Sequence, residues 1–387
     1  MSRLSALTLT LLALVLAAAP AARAAAPSEY WTPVVASVPA APEPVLGSDG
    51  RVHLAYELLL TNRSFLPPAK ATVESLQVLG GGKVVESLSG ERLRELMVRF
   101  GEPTKAGATL GRGEAGFVLM DVTFKRGEKV PRRLTHRLRI ATKPLNTTAA
   151  RSYLAGPTAV SRRQAPTIAP PLRGRGWIVG NGCCESLTSH RAALLPVNGR
   201  LANGERFAID FIQVQPNGML TTGPLTELNS YPFFGDEVIS STAGKVARVV
   251  EGLPETPPGA LPPSTAAGAS GNWVSVAVGD GRYLLYAHLQ PGSIKVKVGD
   301  RVRVGQLLGL LGSSGNSNAP HLHFQMMDGP TPVDSNGLPY RFSRFSVAGT
   351  LTNFAGLFDE EPARIAPKLR GVHRQQLPLS LQVIGFR

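Results

Sequence analysis

The segment Asn318-Ala319-Pro320-His321-Leu322-His323-Phe324 sets two histidines one apolar residue apart in a run with strand character. Side chains alternate along a strand, so both imidazoles point to one face. They can then share a metal site, one as ligand and the other free to handle protons. Alone, a His-x-His pair is a weak signal, because strand histidines without function make the same pattern. Its surroundings carry more. A third histidine, His288, ends the strand-like Tyr283-Leu284-Leu285-Tyr286-Ala287 and is followed by Leu289-Gln290-Pro291-Gly292-Ser293. Val298-Gly299-Asp300-Arg301-Val302, Gly305-Gln306-Leu307-Leu308-Gly309 and Gly312-Ser313-Ser314-Gly315-Asn316-Ser317 then lead into the His-x-His strand. The last of these is a glycine-serine turn and not a phosphate loop, since neither a Gly-Lys-Ser/Thr ending nor a helix follows.

A β framework must hold these groups, and strand signals run through most of the chain. Residues Trp273 to Val278, Tyr283 to His288, Arg303 to Leu311 and His321 to Met327 are rich in branched and aromatic side chains. Nearer the start, Val52, Leu54, Tyr56, Leu58 and Leu60 alternate with His53 and Glu57, and Val118, Met120, Val122 and Phe124 alternate around Asp121, as in half-buried strands. Leu134, Leu138 and Ile140 continue that theme. Gly80-Gly81-Gly82 and Gly111-Arg112-Gly113 supply turns, and one or two helical turns fit Gly90 to Phe100. The expected fold class is all-β: a signal segment over 1–24, an immunoglobulin-like antiparallel sandwich over 25–155, a linker over 156–176 and a second, compact β-sheet domain over 177–387. His53 and His136 are expected to be ordinary strand residues. A Pro-rich stretch from Leu253 to Ser264 is expected as a surface loop. Near the end, Leu377, Leu379, Leu381 and Val383 alternate with polar residues as a last strand, which could join either domain; Pro378 would confine its start to a sheet edge.

In order, Tyr-Ala-His-Leu, Val-Gly-Asp-x-Val, Gly-Gln-x-Leu-Gly, Gly-x-Ser-Gly-x-Ser and Pro-His-Leu-His-Phe closely resemble the lysostaphin-like (LytM-type) peptidoglycan endopeptidases. The resemblance runs from about Phe207 to Met327 and includes Val238 to Val246 and Gly271-Asn272. It implies a compact β peptidase domain and a zinc ion held by a histidine, an aspartate four residues on, and the second histidine of His-x-His. On this sequence that makes His323 and Asp210 metal ligands, His321 the general base for the attacking water, and His288 a group that helps stabilise the developing oxyanion. The chemistry is coherent, because zinc lowers the pKa of a bound water and polarises a carbonyl while neutral imidazoles exchange protons nearby. Ile294 to Asp300 with Gly305-Gln306 also resembles the hairpin of biotinyl and lipoyl carriers, but no lysine stands at a hairpin tip in that context.

One position departs from the pattern. The first histidine ligand falls on Arg206, whose guanidinium stays protonated and has no lone pair for zinc. Catalytic zinc sites usually have three protein ligands, so either another residue substitutes or the site is degenerate. His190 is the best substitute. If Asn198-Gly199 forms a two-residue hairpin, Val197 faces Arg200 and a continued ladder sets His190 opposite Phe207, one residue from the vacancy. A competing turn at Asn203-Gly204 or a one-residue bulge would spoil that register.

With 43% hydrophobic and 18% charged residues, the chain has the composition of globular protein and not of a disordered one. Arg3, the apolar run Leu4 to Leu16 and Ala22-Arg23-Ala24 have the order of a secretory signal, which predicts export to the periplasm or the outside, with the mature chain starting near Ala25. No later stretch is apolar for long enough to span a membrane, and no cysteine follows the apolar run to take a lipid. A formal net charge of +14 favours polyanionic surroundings. For an exported protein these are peptidoglycan or another anionic cell-wall polymer and not nucleic acid. The two cysteines, Cys183 and Cys184, are adjacent; an oxidising compartment permits a bridge between them, and two free thiols are equally compatible. They are not expected to form a metal site, because adjacent side chains diverge and no second cysteine pair completes a tetrahedral set. The expected function is hydrolysis of peptidoglycan cross-links by a zinc endopeptidase. The alternatives are a degenerate, non-catalytic wall-binding or hydrolase-regulating protein and a metallopeptidase acting on protein.

Overall fold

The structure is a computed structural model, and it describes residues 29–387 apart from 65–69, 102–106, 146–148, 185–186, 261–264 and 267. The expected signal segment lies outside the described residues. All the long elements are strands, and the helices are short.

The first half forms two five-stranded antiparallel sheets. One holds Val34–Ser37, Val45–Leu46, Arg51–Asn62, Met97–Arg99 and Ala115–Lys125; the other holds Lys70–Gly80, Lys83–Ser89, Thr109–Leu110, Arg133–Lys143 and Ser152–Ala159. Leu54, Tyr56, Leu58 and Leu60 from the first sheet meet Val73, Leu76, Leu138 and Ile140 from the second in one apolar core. Gly81 and Gly82 both take positive φ, as a tight hairpin between right-twisted strands requires. The expected helical turns are Gly90–Leu96, which runs directly into the strand Met97–Arg99.

The polar face of the first sheet departs from expectation. His53 and Glu57 are the polar positions of a strand expected to be half-buried, yet they are 4% and 1% exposed. The second half of the chain covers this face, and Ala55 packs into the same core as Trp177 and Phe211. A strand reads as half-buried when one side is polar; here those polar groups are matched to partners across a junction.

Residues 156–176, expected as a linker, carry structure. Ser152–Ala159 completes the second sandwich sheet, Thr167–Ile168 pairs in parallel with Arg341–Phe342, and Gly174–Gly180 opens the next sheet. The proline and glycine content punctuates short strands instead of freeing the chain.

The second half is built on a thirteen-stranded sheet. Its centre runs in spatial order Gly174–Gly180, Ile209–Gln213, Leu322–Met327, Arg282–Leu289, Asn272–Gly279, Gly244–Val250. The segment Arg303 to Leu311, expected as one strand, divides into Arg301–Val302 and Leu307–Leu310 around a turn with Gly305 at φ 79°. The C-terminal strand is Gln382–Phe386, later than the alternation from Leu377 suggested. It lies inside the sheet between Gly174–Gly180 and Arg341–Leu351. Pro378 precedes the strand and so costs it no ladder hydrogen bond.

At the junction, His53 donates from Nδ1 to Asp121 at 2.9 Å and from Nε2 to Asp49 at 3.1 Å. Burial would lower the imidazole pKa, but the two carboxylates outweigh it and push the value up from 6.5 to about 10. A cation held more tightly in the folded chain stabilises it fully below the unfolded pKa and ceases to do so above the folded one. The stability gap between the wild type and His53→Gln, from urea unfolding at stepped pH, is therefore expected to be widest below pH 6.5 and to close toward pH 10. A gap that widens with rising pH would contradict this.

Candidate metal centre

The sheet register brings the expected residues together. Asp210 pairs with His323 across neighbouring strands, and His323 in turn faces Ala287, one residue before His288. His321 immediately precedes the strand Leu322–Met327. His288 sits at the end of its strand with φ 62°, a left-handed backbone that costs about 1–3 kcal/mol for a side-chain-bearing residue and is concentrated at functional sites.

His190 arrives by a different route from the one its spacing suggested. Val197 does face Arg200, but the ladder ends at Leu195 opposite Ala202. His190 lies instead on a short helix, Ser189–Ala192, capped by the Thr188 hydroxyl, which accepts from the Arg191 amide. The helix turns the imidazole onto Asp210. Ligand-capable atoms of His190, Asp210 and His323 all lie within 4.8 Å of one another.

Proton positions on the four histidines follow from their outer partners. His190 Nδ1 donates to the Ala208 carbonyl (3.3 Å), His323 Nε2 to Gln325 Oε1 (2.7 Å), His321 Nδ1 to the Ala319 carbonyl (2.8 Å) and His288 Nδ1 to the Ser314 carbonyl (2.7 Å). In the neutral form of each ring the inner nitrogen then carries the lone pair; on His190 that nitrogen holds a proton until a metal displaces it. His190 Nε2 points at Asp210 Oδ2 from 3.1 Å, His323 Nδ1 at Oδ1 from 2.9 Å, and His321 Nε2 at Oδ1 from 3.5 Å. Lone pairs aimed at a carboxylate repel it unless a proton or a metal cation lies between. Outer N–H groups tied down and inner nitrogens converging on a carboxylate are what metal-binding histidines require, so the donor set fits zinc.

The titration behaviour agrees. Burial works against ionising Asp210, yet the facing imidazoles hold its carboxyl well below the usual range. Burial lowers the His190 pKa, but the Asp210 carboxylate outweighs it and raises the value to about 9. His321 and His288 go the other way: burial comes first and lowers both, outweighing the Asp210 carboxylate that opposes it at His321, with the neighbouring imidazoles adding to the fall. One pair of groups favours a cation and the other stays free to take protons.

Several participants gave no signal in the sequence. Asn181 donates from Nδ2 to Asp210 Oδ2 at 2.8 Å. Gln325 stands two residues beyond His323 on the same strand face, so period two alone could have flagged it. Together with Asn181, Glu205, Asn316 and Asn318, the site residues line a cavity of about 330 Å³.

Arg206 does not line this cavity. Its Nε lies 3.0 Å from both carboxylate oxygens of Glu57, Nη2 lies 2.5 Å from Oε2, and Nη1 donates to the Gly337 carbonyl. Arg191, next to His190, reaches into the same place and donates to the Met120 carbonyl at 3.0 Å. Asn203 adds a bond from Nδ2 to Glu57 Oε1 at 3.1 Å. Glu57 of the sandwich thus anchors both segments that carry candidate ligands, His190 and Asp210. Removing one partner of a buried ion pair typically costs about 3–5 kcal/mol, because the other charge stays buried unpaired. Glu57→Ala is expected to lower unfolding stability by about that much, with Arg206 and Arg191 both stranded. A loss under about 1 kcal/mol in urea titrations, the value of an exposed pair, would show that the junction does not depend on this ion pair.

The sheet thus brings a His/Asp cluster to the wall of a cavity. Residues 232–335 match the family model Peptidase family M23, and the chain carries a lysostaphin-type M23 peptidase domain there. The match contains His288, His321 and His323 and begins downstream of Asp210, past the place where Arg206 breaks the pattern. Glycyl-glycine endopeptidase ALE-1 of Staphylococcus capitis is 50% identical over 58 residues, which is 15% of this chain and 16% of that protein. Cell division protein DipM of Caulobacter vibrioides is 35% identical over 100 residues, 26% of this chain and 14% of that one. The chain thus spans only about a sixth of the length of these relatives. Among solved structures, the catalytic domain of the antimicrobial peptidase lysostaphin from Staphylococcus simulans is 24% identical, with a TM-score of 0.23, over 42% of this chain and 86% of that one. No helix among the described residues is long and apolar enough to cross a membrane.

Proposed function

We propose that this protein is an exported zinc metalloendopeptidase that hydrolyses peptide cross-links of peptidoglycan. The observation that carries the reading is the convergence of the His190, His321 and His323 inner nitrogens on Asp210, with every outer nitrogen of those rings tied down. His190, Asp210 and His323 are the proposed ligands. When bound, zinc supplies Lewis acidity toward the scissile carbonyl and brings a water's pKa toward neutrality. The signal-like start of the chain and its net charge of +14 support export and an anionic polymer as substrate.

The remaining roles fall to the two neutral histidines. His321, with its Nδ1 proton on Ala319, keeps a lone pair on Nε2 with which to take a proton from the attacking water and later return it to the leaving amine. His288 has its proton fixed on Nδ1 by Ser314, so its inner nitrogen accepts a hydrogen bond. That suits ordering the water better than donating to an oxyanion, the role its resemblance implied. Asn181 keeps Asp210 from turning away.

Zinc must displace a proton from His190, whose pKa is about 9 without metal. Below that pH, apparent zinc affinity is expected to fall about tenfold per pH unit for the one proton released, as measured by competition with a chelating dye. A flat profile between pH 6 and 8 would remove His190 from the ligand set. The activity itself is tested by digesting purified sacculi with the full chain and following new amino termini. Hydrolysis that stops with chelator and returns with zinc supports the proposal. Protein that holds no zinc and yet binds sacculi would support the non-catalytic, wall-binding alternative that Arg206 first suggested.

A further inference from the structure

A second cluster of metal-ligand side chains lies at the junction, away from the candidate centre. His53 and Asp121 project from the covered face of the sandwich, and the bridged pair Cys183 and Cys184 projects from the other side. Ligand-capable atoms of His53, Asp121 and Cys184 lie within 4.8 Å of one another. They border a cavity of about 810 Å³ that Asp49 also lines. In the bridged form Cys184 has no thiolate to offer, and the two carboxylates hold His53 as an imidazolium.

We propose that reduction of the Cys183–Cys184 disulfide opens a divalent-metal site of the zinc class, with His53, Asp121 and Cys184 as ligands and Asp49 bracing the imidazole from behind. The sulfur, nitrogen and oxygen set is one that zinc accepts in a tetrahedral site. Bonds of about 2.0–2.3 Å place tetrahedral ligand atoms roughly 3.3–3.8 Å apart, so the sulfur needs to approach by only about an ångström while the His53–Asp121 pair, 2.9 Å apart, opens slightly. The cavity leaves the fourth position to water. Asp49, bonded to Nε2 while Nδ1 faces Asp121, stands where the outer carboxylate of a metal-binding histidine stands.

The reaction balances. A dithiol reductant gives two electrons and two protons to the disulfide, is itself oxidised to a disulfide, and leaves two thiols. The metal ion then displaces the Cys184 thiol proton and one imidazolium proton. Charge balances as well: two carboxylates and an imidazolium sum to one negative charge, and so do two carboxylates, a thiolate, a neutral imidazole and a divalent cation. The pocket passes between the two states without burying additional net charge, which low-dielectric surroundings would penalise.

Cobalt(II) is the probe, because thiolate ligation gives a near-ultraviolet charge-transfer band that the sulfur-free His190, Asp210, His323 cluster cannot produce. The full chain, reduced with dithiothreitol and freed of it under argon, is expected to develop the band to saturation within two equivalents, because the His190, Asp210, His323 cluster competes for the metal, and the disulfide form to show none. Cys183→Ser, which leaves Cys184 as a free thiol, should show the band without any reductant. His53→Gln and Cys184→Ser should lose it, and Asp49→Asn should bind about 10–100-fold more weakly. Absence of the band from both the reduced wild type and Cys183→Ser would overturn the proposal. So would undiminished affinity in His53→Gln, which would leave thiols alone as the ligands.

Discussion

His190→Ala is expected to purify without zinc and to leave sacculus digestion at background. Asp210 and His323 would remain, but two ligands fall short of the three that catalytic zinc sites use. Losing an outer partner of a metal histidine already costs about 10–100-fold in affinity, so removing a direct ligand is expected to cost more than that. The change is specific because Arg206 cannot move in as a replacement. It is held by three contacts to Glu57 and one to Gly337, and it has no lone pair. Zinc content by elemental analysis and digestion rate are read on the same preparation. Full zinc occupancy in the variant would mean that the helix Ser189–Ala192 is only structural.

His321→Ala is expected to separate chemistry from metal binding. The lost group is a neutral ring with its free nitrogen toward the cleft, and a positioned general base contributes about 10²–10⁴-fold. Digestion should fall by that factor while zinc content stays at the wild-type level. The acidic limb of the pH–rate profile, which reports protonation of the base, should disappear with the side chain. Lowered zinc content would make His321 a ligand instead.

The balance between what the sequence disclosed and what it hid follows from range. His321, His323 and His288 were legible because period two and strand ends are local properties. The register that sets Asp210 beside His323 joins residues more than a hundred positions apart and entered only through resemblance. Arg206 marked a departure from the pattern, and His190, singled out as the nearest substitute, lies beside Asp210 and His323. The path failed, because a hairpin ladder was extended back from Leu195 to His190, where the chain instead leaves the ladder and forms the helix Ser189–Ala192. The junction was wholly hidden. Glu57 and His53 have the alternation of a solvated strand face, and nothing local distinguishes water from a second domain as the partner. The proline-rich stretch after Gly156 misled for a similar reason: composition marks interruptions, and short paired strands are interrupted too.

Under the proposed ligand set, Arg206 and His190 have separate tasks. The guanidinium joins the two halves of the molecule through Glu57, and the helix whose Arg191 reaches the same glutamate turns the His190 imidazole toward Asp210.

The most direct test is a crystal structure of the zinc-loaded protein with anomalous differences collected at the zinc edge. One peak is expected within about 2.0–2.2 Å of His190 Nε2, His323 Nδ1 and an Asp210 oxygen, with Arg206 still on Glu57. A zinc ion in the cleft whose protein ligands exclude His190, or no zinc in the cleft at all, would contradict the account.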